Sequence, residues 1–162
     1  RPTGTNSILK KKIITSSTSF VDHVSYYSDT ACTSRLGYLE KRYSNLSVGD
    51  TVSGLDNSSG GRPTSGYRVT YKPECAKIMA DTDAAMVTFN TAYAAFFHIY
   101  PMTTGTEKAF CETWACQVQT YYSIWGAGDN GTTFSIYQAM GGSAGYEPSD
   151  WDDNSGGMTY QK

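Results

Sequence analysis

Apolar residues recur at alternate positions through most of this chain, and the period changes once, to about 3.6, between Thr82 and Phe97. Strands punctuated by a single helix follow from that pattern. Ile13–Phe20 and Val21–Ser28 are rich in Ile, Val, Thr, Phe and Tyr and hold no Gly or Pro, as strands prefer. Asp29–Cys32 turns the chain, Leu36–Ser44 and Leu46–Leu55 form two further strands, and Asn57–Pro63 is a polar loop before a strand at Gly66–Tyr71. In Thr82–Phe97, Met86, Phe89, Tyr93 and Phe96 make a stripe at steps of three and four, with Asp81 or Thr82 available as N-cap; Pro101 and Gly105 close the helix. Gln117–Trp125 and Thr132–Met140 alternate again around a turn at Gly126–Gly131, and Met158–Gln161 is a last short strand after a long loop.

At least seven short strands with one mid-chain helix predict a mainly β fold. Curling of an antiparallel sheet into a small barrel or half-barrel removes exposed edges; a two-sheet sandwich is the alternative. In a chain of 162 residues this is expected as one domain over 13–162, preceded by a flexible arm over 1–12. The net charge of −2 leaves no dominant basic face for nucleic acid. Lys10–Lys12 is a short basic run, read as a solvated part of the arm. No apolar stretch reaches the roughly 20 residues of a spanning helix.

Four cysteines, Cys32, Cys75, Cys111 and Cys116, stand among turns and aromatic strands rather than in metal-ligand spacing. An even count in a Ser/Thr/Gly-rich domain reads as two disulfides of an exported protein. Three pairings are open, and Cys111 with Cys116 and Cys32 with Cys75 is the favoured one. The Cys111–Cys116 spacing is wider than the Cys-x-x-Cys of redox sites. The start at Arg1 without Met fits a removed leader. Secretion or, in a bacterium, a periplasmic or cell-surface location follows, and in a eukaryote Asn45, Asn57 and Asn130 are acceptors for N-linked glycans.

Ser25–Cys32 followed by Tyr43–Asp50 with its Val-Gly-Asp, the helix segment Thr82–Ala92 with Phe89-Asn90-Thr91-Ala92, and the closing Tyr160-Gln161-Lys162 resemble lipocalin-like domains of exported proteins and of the adenomatosis-polyposis-coli down-regulated family. Unlike true lipocalins, the chain has no Gly-x-Trp near its first strand, and its helix is mid-chain. The resemblance implies a barrel-like sheet holding a small hydrophobic ligand.

The composition accords with such a pocket, since aromatics make up 14% of the chain and Tyr alone numbers 13. On the Gln117–Met140 hairpin, Val118, Thr120, Tyr122 and Ile124 share one face, and Phe134, Ile136 and Met140 are expected opposite them as the lining. Tyr121 and Trp125 then point outward, where exposed aromatics mark contact surfaces. Asp150, Asp152 and Asn154 place side-chain oxygens at alternate positions, as calcium loops do, but Gln161 stands where the bidentate Glu would be, and an acidic solvated turn is the favoured reading over calcium. His23 and His98 are isolated, and Glu40, Glu107 and Glu112 show no pairing, so no catalytic residue is assigned.

The expected function is that of a non-enzymatic exported binding protein with a small apolar ligand and no required cofactor. The alternative is a structural, adhesive or assembly protein whose Tyr-rich surface and strand edges contact other extracellular proteins or further copies of itself. Lys10–Thr18 is the segment expected to add a strand to a neighbouring sheet.

Overall fold

The computed structural model describes residues 3–55, 63–97, 102–110, 120–129, 133–139 and 158–161. They form nine strands and one helix: β1 (Ser7–Ser16), β2 (Ser19–Tyr27), β3 (Arg35–Ser53), β4 (Ser65–Pro73), β5 (Ala76–Ala80), α1 (Asp83–Phe97), β6 (Lys108–Phe110), β7 (Tyr121–Asp129), β8 (Thr133–Ala139) and β9 (Met158–Gln161). The fold is mainly β and antiparallel. Among the described residues the strand path runs from β1 to β9 without returning on itself, which shows an antiparallel sheet but not the expected barrel.

The chain forms two compact units, Arg1–Ser44 with Pro73–Val118 and Asn45–Lys72 with Gln119–Lys162. Two strands, Leu36–Ser44 and Leu46–Leu55, were expected where β3 runs unbroken for 19 residues. The boundary between the units falls at Asn45, whose φ of 51° is left-handed. Asn tolerates that conformation better than other non-Gly residues, so the strand continues through it.

In the first unit the strand order is β1-β2-β3-β5-β6. Residues 7–12, expected as an arm, are the first part of β1, paired from Ser7↔Tyr27 to Ile14↔Phe20. The β1–β2 turn is Ser17-Thr18, where hydroxyls replace the usual Gly: Ser16 and Ser19 share a hydrogen bond of 2.7 Å, and Thr18 N donates to Ser16 Oγ at 3.1 Å. Alternation sends Ile8, Val24, Tyr26, Leu39, Ile78 and Ala80 to one face. There they pack with Ala85, Met86 and Phe89 of α1 and with Met102.

Thr82 caps the helix: its Oγ1 accepts from Ala85 N at 3.1 Å, and its carbonyl accepts from Met86 N at 2.8 Å. Asp81, the other candidate cap, instead accepts from Arg35 Nε at 2.7 Å. Phe89 is fully buried and meets Tyr26 edge to face at 5.5 Å, while Val87 on the opposite side of the helix is exposed. The side chains of Tyr93 and Phe96 lie outside the described residues. Strand β5, which sequence periodicity did not pick out, alternates buried and half-buried along Ala76–Ala80.

The second unit has the order β3-β4-β7-β8-β9. Ile124 is fully buried against Leu55 and Val52. At Gly66 the approach is so close that an added Cβ would stand 2.7 Å from Ile124 Cγ2 and 2.9 Å from the Trp125 carbonyl oxygen. The turn expected at Gly126–Gly131 begins later, since β7 continues through Asp129 with Gly126, Ala127 and Gly128 paired to Tyr137, Ile136 and Ser135. Ladder pairing satisfies these backbone groups and overrides the low strand propensity of glycine.

Candidate functional site

The expected ligand lining is not assembled on one face. Ile124 is paired with Ala139, whereas Ile136 and Phe134 are paired with Ala127 and Asp129. Directly opposed residues share a face and neighbours along a strand alternate, so Phe134 and Ile136 fall in register with the odd-numbered residues of β7 and not with Tyr122 and Ile124. Thr120 and Tyr122 are half-buried. Val118 and Met140 lie outside the described residues. Of the two aromatics expected to face outward, Tyr121 is exposed and stacks on Tyr71 with ring centroids 5.9 Å apart, and Trp125 is half-buried beside the same ring at 6.1 Å.

Cys32 is an exposed free thiol with φ of 57°, so the expected Cys32–Cys75 bridge is not formed. The loop that carries it is held by Asp29, which accepts from the backbone N–H groups of Thr33 and Ser34 at 3.1 and 2.5 Å; these bonds hold its carboxyl below the usual range. Cys75 is disulfide-bonded, with its partner outside the described residues, where Cys111 and Cys116 also lie. The calcium candidates Asp150, Asp152 and Asn154 and the acceptors Asn57 and Asn130 are likewise outside them. Asn45 is exposed. Among the described residues no group of three or more His, Cys, Asp or Glu is placed to hold a metal, and no helix is long and apolar enough to cross a membrane.

Two features of the first unit carry chemistry that spacing alone did not reveal. The first is a polar cluster on the sheet face opposite α1. His23 and Ser25 are two apart on β2, and register sets Glu40 opposite His23 and Tyr38 opposite Ser25. His23 Nε2 and Ser25 Oγ share a hydrogen bond of 3.1 Å, and His23 Nδ1 lies 3.5 Å from Glu40 Oε2. The His23 ring stacks on Tyr38 at 4.9 Å. This is the connectivity of a hydrolytic triad. Ser25 is only 5% exposed, and its strand is laddered on both sides, so the backbone donors beside it are engaged in the sheet. The network satisfies a buried hydroxyl.

Beside it, Tyr38 donates its phenolic O–H to Glu107, and Lys77 Nζ donates to the same carboxylate at 2.5 Å. Burial, then the bond to Glu107, pushes the Tyr38 phenol up to about 12, while Lys77 and Tyr38 hold Glu107 below its ordinary range. A folded value above the ordinary 10.0 means that this phenol's contribution to stability is complete below pH 10.0 and is lost as pH rises through about 12. In a difference titration against Tyr38→Phe, one phenol is expected to ionise near pH 12. Glu107→Gln should bring it part of the way back, burial remaining as the larger cause; an unchanged midpoint would refute the assigned bond.

The second feature is the edge of the same sheet. Strand β1 pairs with β2 and, among the described residues, with nothing on its other side. Ile13 and Ile14 are 44% and 59% exposed, and Leu9 is exposed as well. Lys12 is set apart from its neighbours. Its side chain is buried, donates to Asp22 Oδ1 at 2.5 Å and lies 4.2 Å from the centre of the Phe20 ring. Desolvation lowers its pKa against the opposing pull of Asp22. Lys10 and Lys11 are exposed and make no ion pair among the described residues. A strand signal was present in Ser7–Ser16, with Ile and Leu before the lysines and Ile, Ile and Thr after them, but the charge run obscured it.

No protein-family model matches the chain, and no curated protein matches it.

Proposed function

We propose that the protein is a non-enzymatic, exported assembly protein that binds an extended segment of another protein along β1. The observation that carries this reading is an exposed edge strand of ten residues bearing three exposed aliphatic side chains. A long edge with unpaired N–H and C=O groups is the template that strand addition uses: backbone hydrogen bonds supply affinity, and alternate side chains supply selectivity. The export of the protein rests on its cysteines, and no cofactor is required for this function.

Hydrogen exchange provides the test, with a short, end-blocked peptide alternating Val and Thr as the probe. Adding the peptide is expected to slow exchange at β1 amides, and Ile14→Lys is expected to weaken binding about tenfold by removing an apolar contact. Unchanged exchange along β1 at saturating peptide would overturn the reading.

A carrier of one small apolar molecule is the second reading, in keeping with the lipocalin-like resemblance. It rests on that resemblance and on the aromatic-rich composition of the chain. Organic extraction of protein from its own source, followed by mass spectrometry, should release a stoichiometric small molecule on this reading and none on the first.

A further inference from the structure

We infer that the segment received by β1 is acidic at its centre and apolar at both ends, and that it is not a second copy of β1. This rests on the edge-strand reading and names the chemistry of its partner. Two antiparallel β1 strands that matched their apolar ends, Leu9 against Ile13 and Ile8 against Ile14, would share the register centred on Lys11. In that register Lys11 stands opposite Lys11 and Lys10 opposite Lys12. Like charges directly opposed across a strand pair are unfavourable, so the arrangement that satisfies the aliphatic residues sets the basic run against itself.

Among the described residues, relief inside the sheet is available for one of the three lysines. Asp22 and the Phe20 ring take Lys12, whose side chain is buried, while Lys10 and Lys11 stay exposed. By register Lys10 shares the face of Val24 and Lys11 that of His23, so the two ammonium groups stand on opposite faces of the edge. A partner strand with two adjacent carboxylates would send one to each face and meet both. Aliphatic or β-branched residues on either side of that acidic pair would cover Leu9 at one end and Ile13 and Ile14 at the other. The lysines thus act in selection, disfavouring self-pairing at the edge while admitting a strand of complementary charge.

The test uses the Val/Thr peptide in three forms, with Asp-Asp, Thr-Thr or Lys-Lys at its centre, and reads affinity together with β1 amide exchange. The acidic form is expected to bind roughly five- to twentyfold tighter than the neutral one, from two opposed charge pairs, and the basic form more weakly than either. In Lys10→Glu/Lys11→Glu the order should invert; both positions are exposed, so the core is untouched. If the neutral peptide slows β1 exchange and the acidic form is no tighter, the inference is overturned while the edge reading stands. If no peptide slows β1 exchange, the edge reading fails and the inference fails with it. Acidic binding without protection of β1 would reveal diffuse attraction and overturn the inference. Protection of β1 on concentrating the protein alone would identify a second copy as the occupant and overturn it equally.

Discussion

Gly37→Ala is expected to cost about 4 kcal/mol of folding stability, the sum of backbone strain and overpacking of roughly 1–3 kcal/mol each. Gly37 has φ of 150°, a conformation open to glycine and strained for any other residue. A Cβ there would lie 2.2 Å from the Met79 carbonyl oxygen and 2.4 Å from Phe89 Cε2. The ring can swing aside, but the carbonyl belongs to the β3–β5 ladder, in which Gly37 pairs with Ala80 and Tyr38 with Met79. The clash must therefore break pairing or displace β5 from its place under the helix. Against a total stability of about 5–15 kcal/mol, such a loss should move the urea midpoint far down at unchanged slope. A shift worth less than about 1 kcal/mol would mean that β3 and β5 do not approach as described.

The second large effect is expected at Phe89→Ala, at about 3–5 kcal/mol, since the ring is wholly buried and meets Tyr26 edge to face. Val87→Ala, two residues away on the exposed side of α1, should fall within about 0.5 kcal/mol and serves as the control. Gly37 and Phe89 are in contact, so their effects should not add. With the ring gone, one of the two clashes of the new Cβ disappears, and Gly37→Ala/Phe89→Ala should cost about 1–2 kcal/mol less than the sum of the single variants. Full additivity would place the strain entirely in the backbone and at the Met79 carbonyl.

Both variants report on the same seam, where the helix lies against β3 and β5 and Ile8 of β1 packs from the side, and neither alters an exposed side chain of β1. Loss of stability and loss of peptide binding are therefore separable: Ile14→Lys and Lys10→Glu/Lys11→Glu act on exposed side chains at the sheet's margin. The polar cluster on the opposite face gives a third, independent readout through the alkaline titration of Tyr38.

The character of most elements was legible in local order. The stripe of Met86 and Phe89 and the hydroxyl of Thr82 specify a capped helix, because cap and stripe act within a few residues of each other. Strand alternation likewise put His23 and Ser25 on one face. What tertiary structure alone decided depends on groups far apart in the chain. Glu40 joins His23 through cross-strand register, and Glu107 reaches Tyr38 from the segment before β6. The hairpin lining failed for the same reason: alternation orders each strand, but the parity between β7 and β8 is set by where pairing begins, and Gly126–Asp129 remained in the ladder instead of turning. Cysteine count suggested oxidation, yet Cys32 stands free because a bridge depends on which loops meet. Lys10–Lys12 looked like solvated charge; only the pairing of β1 with β2 separates the three, giving Lys12 to Asp22 and leaving Lys10 and Lys11 at an edge unpaired among the described residues. Short-range propensity and periodicity are written residue by residue, whereas register, edges and partners arise from long-range burial and hydrogen bonding, which the chain acquires only when folded.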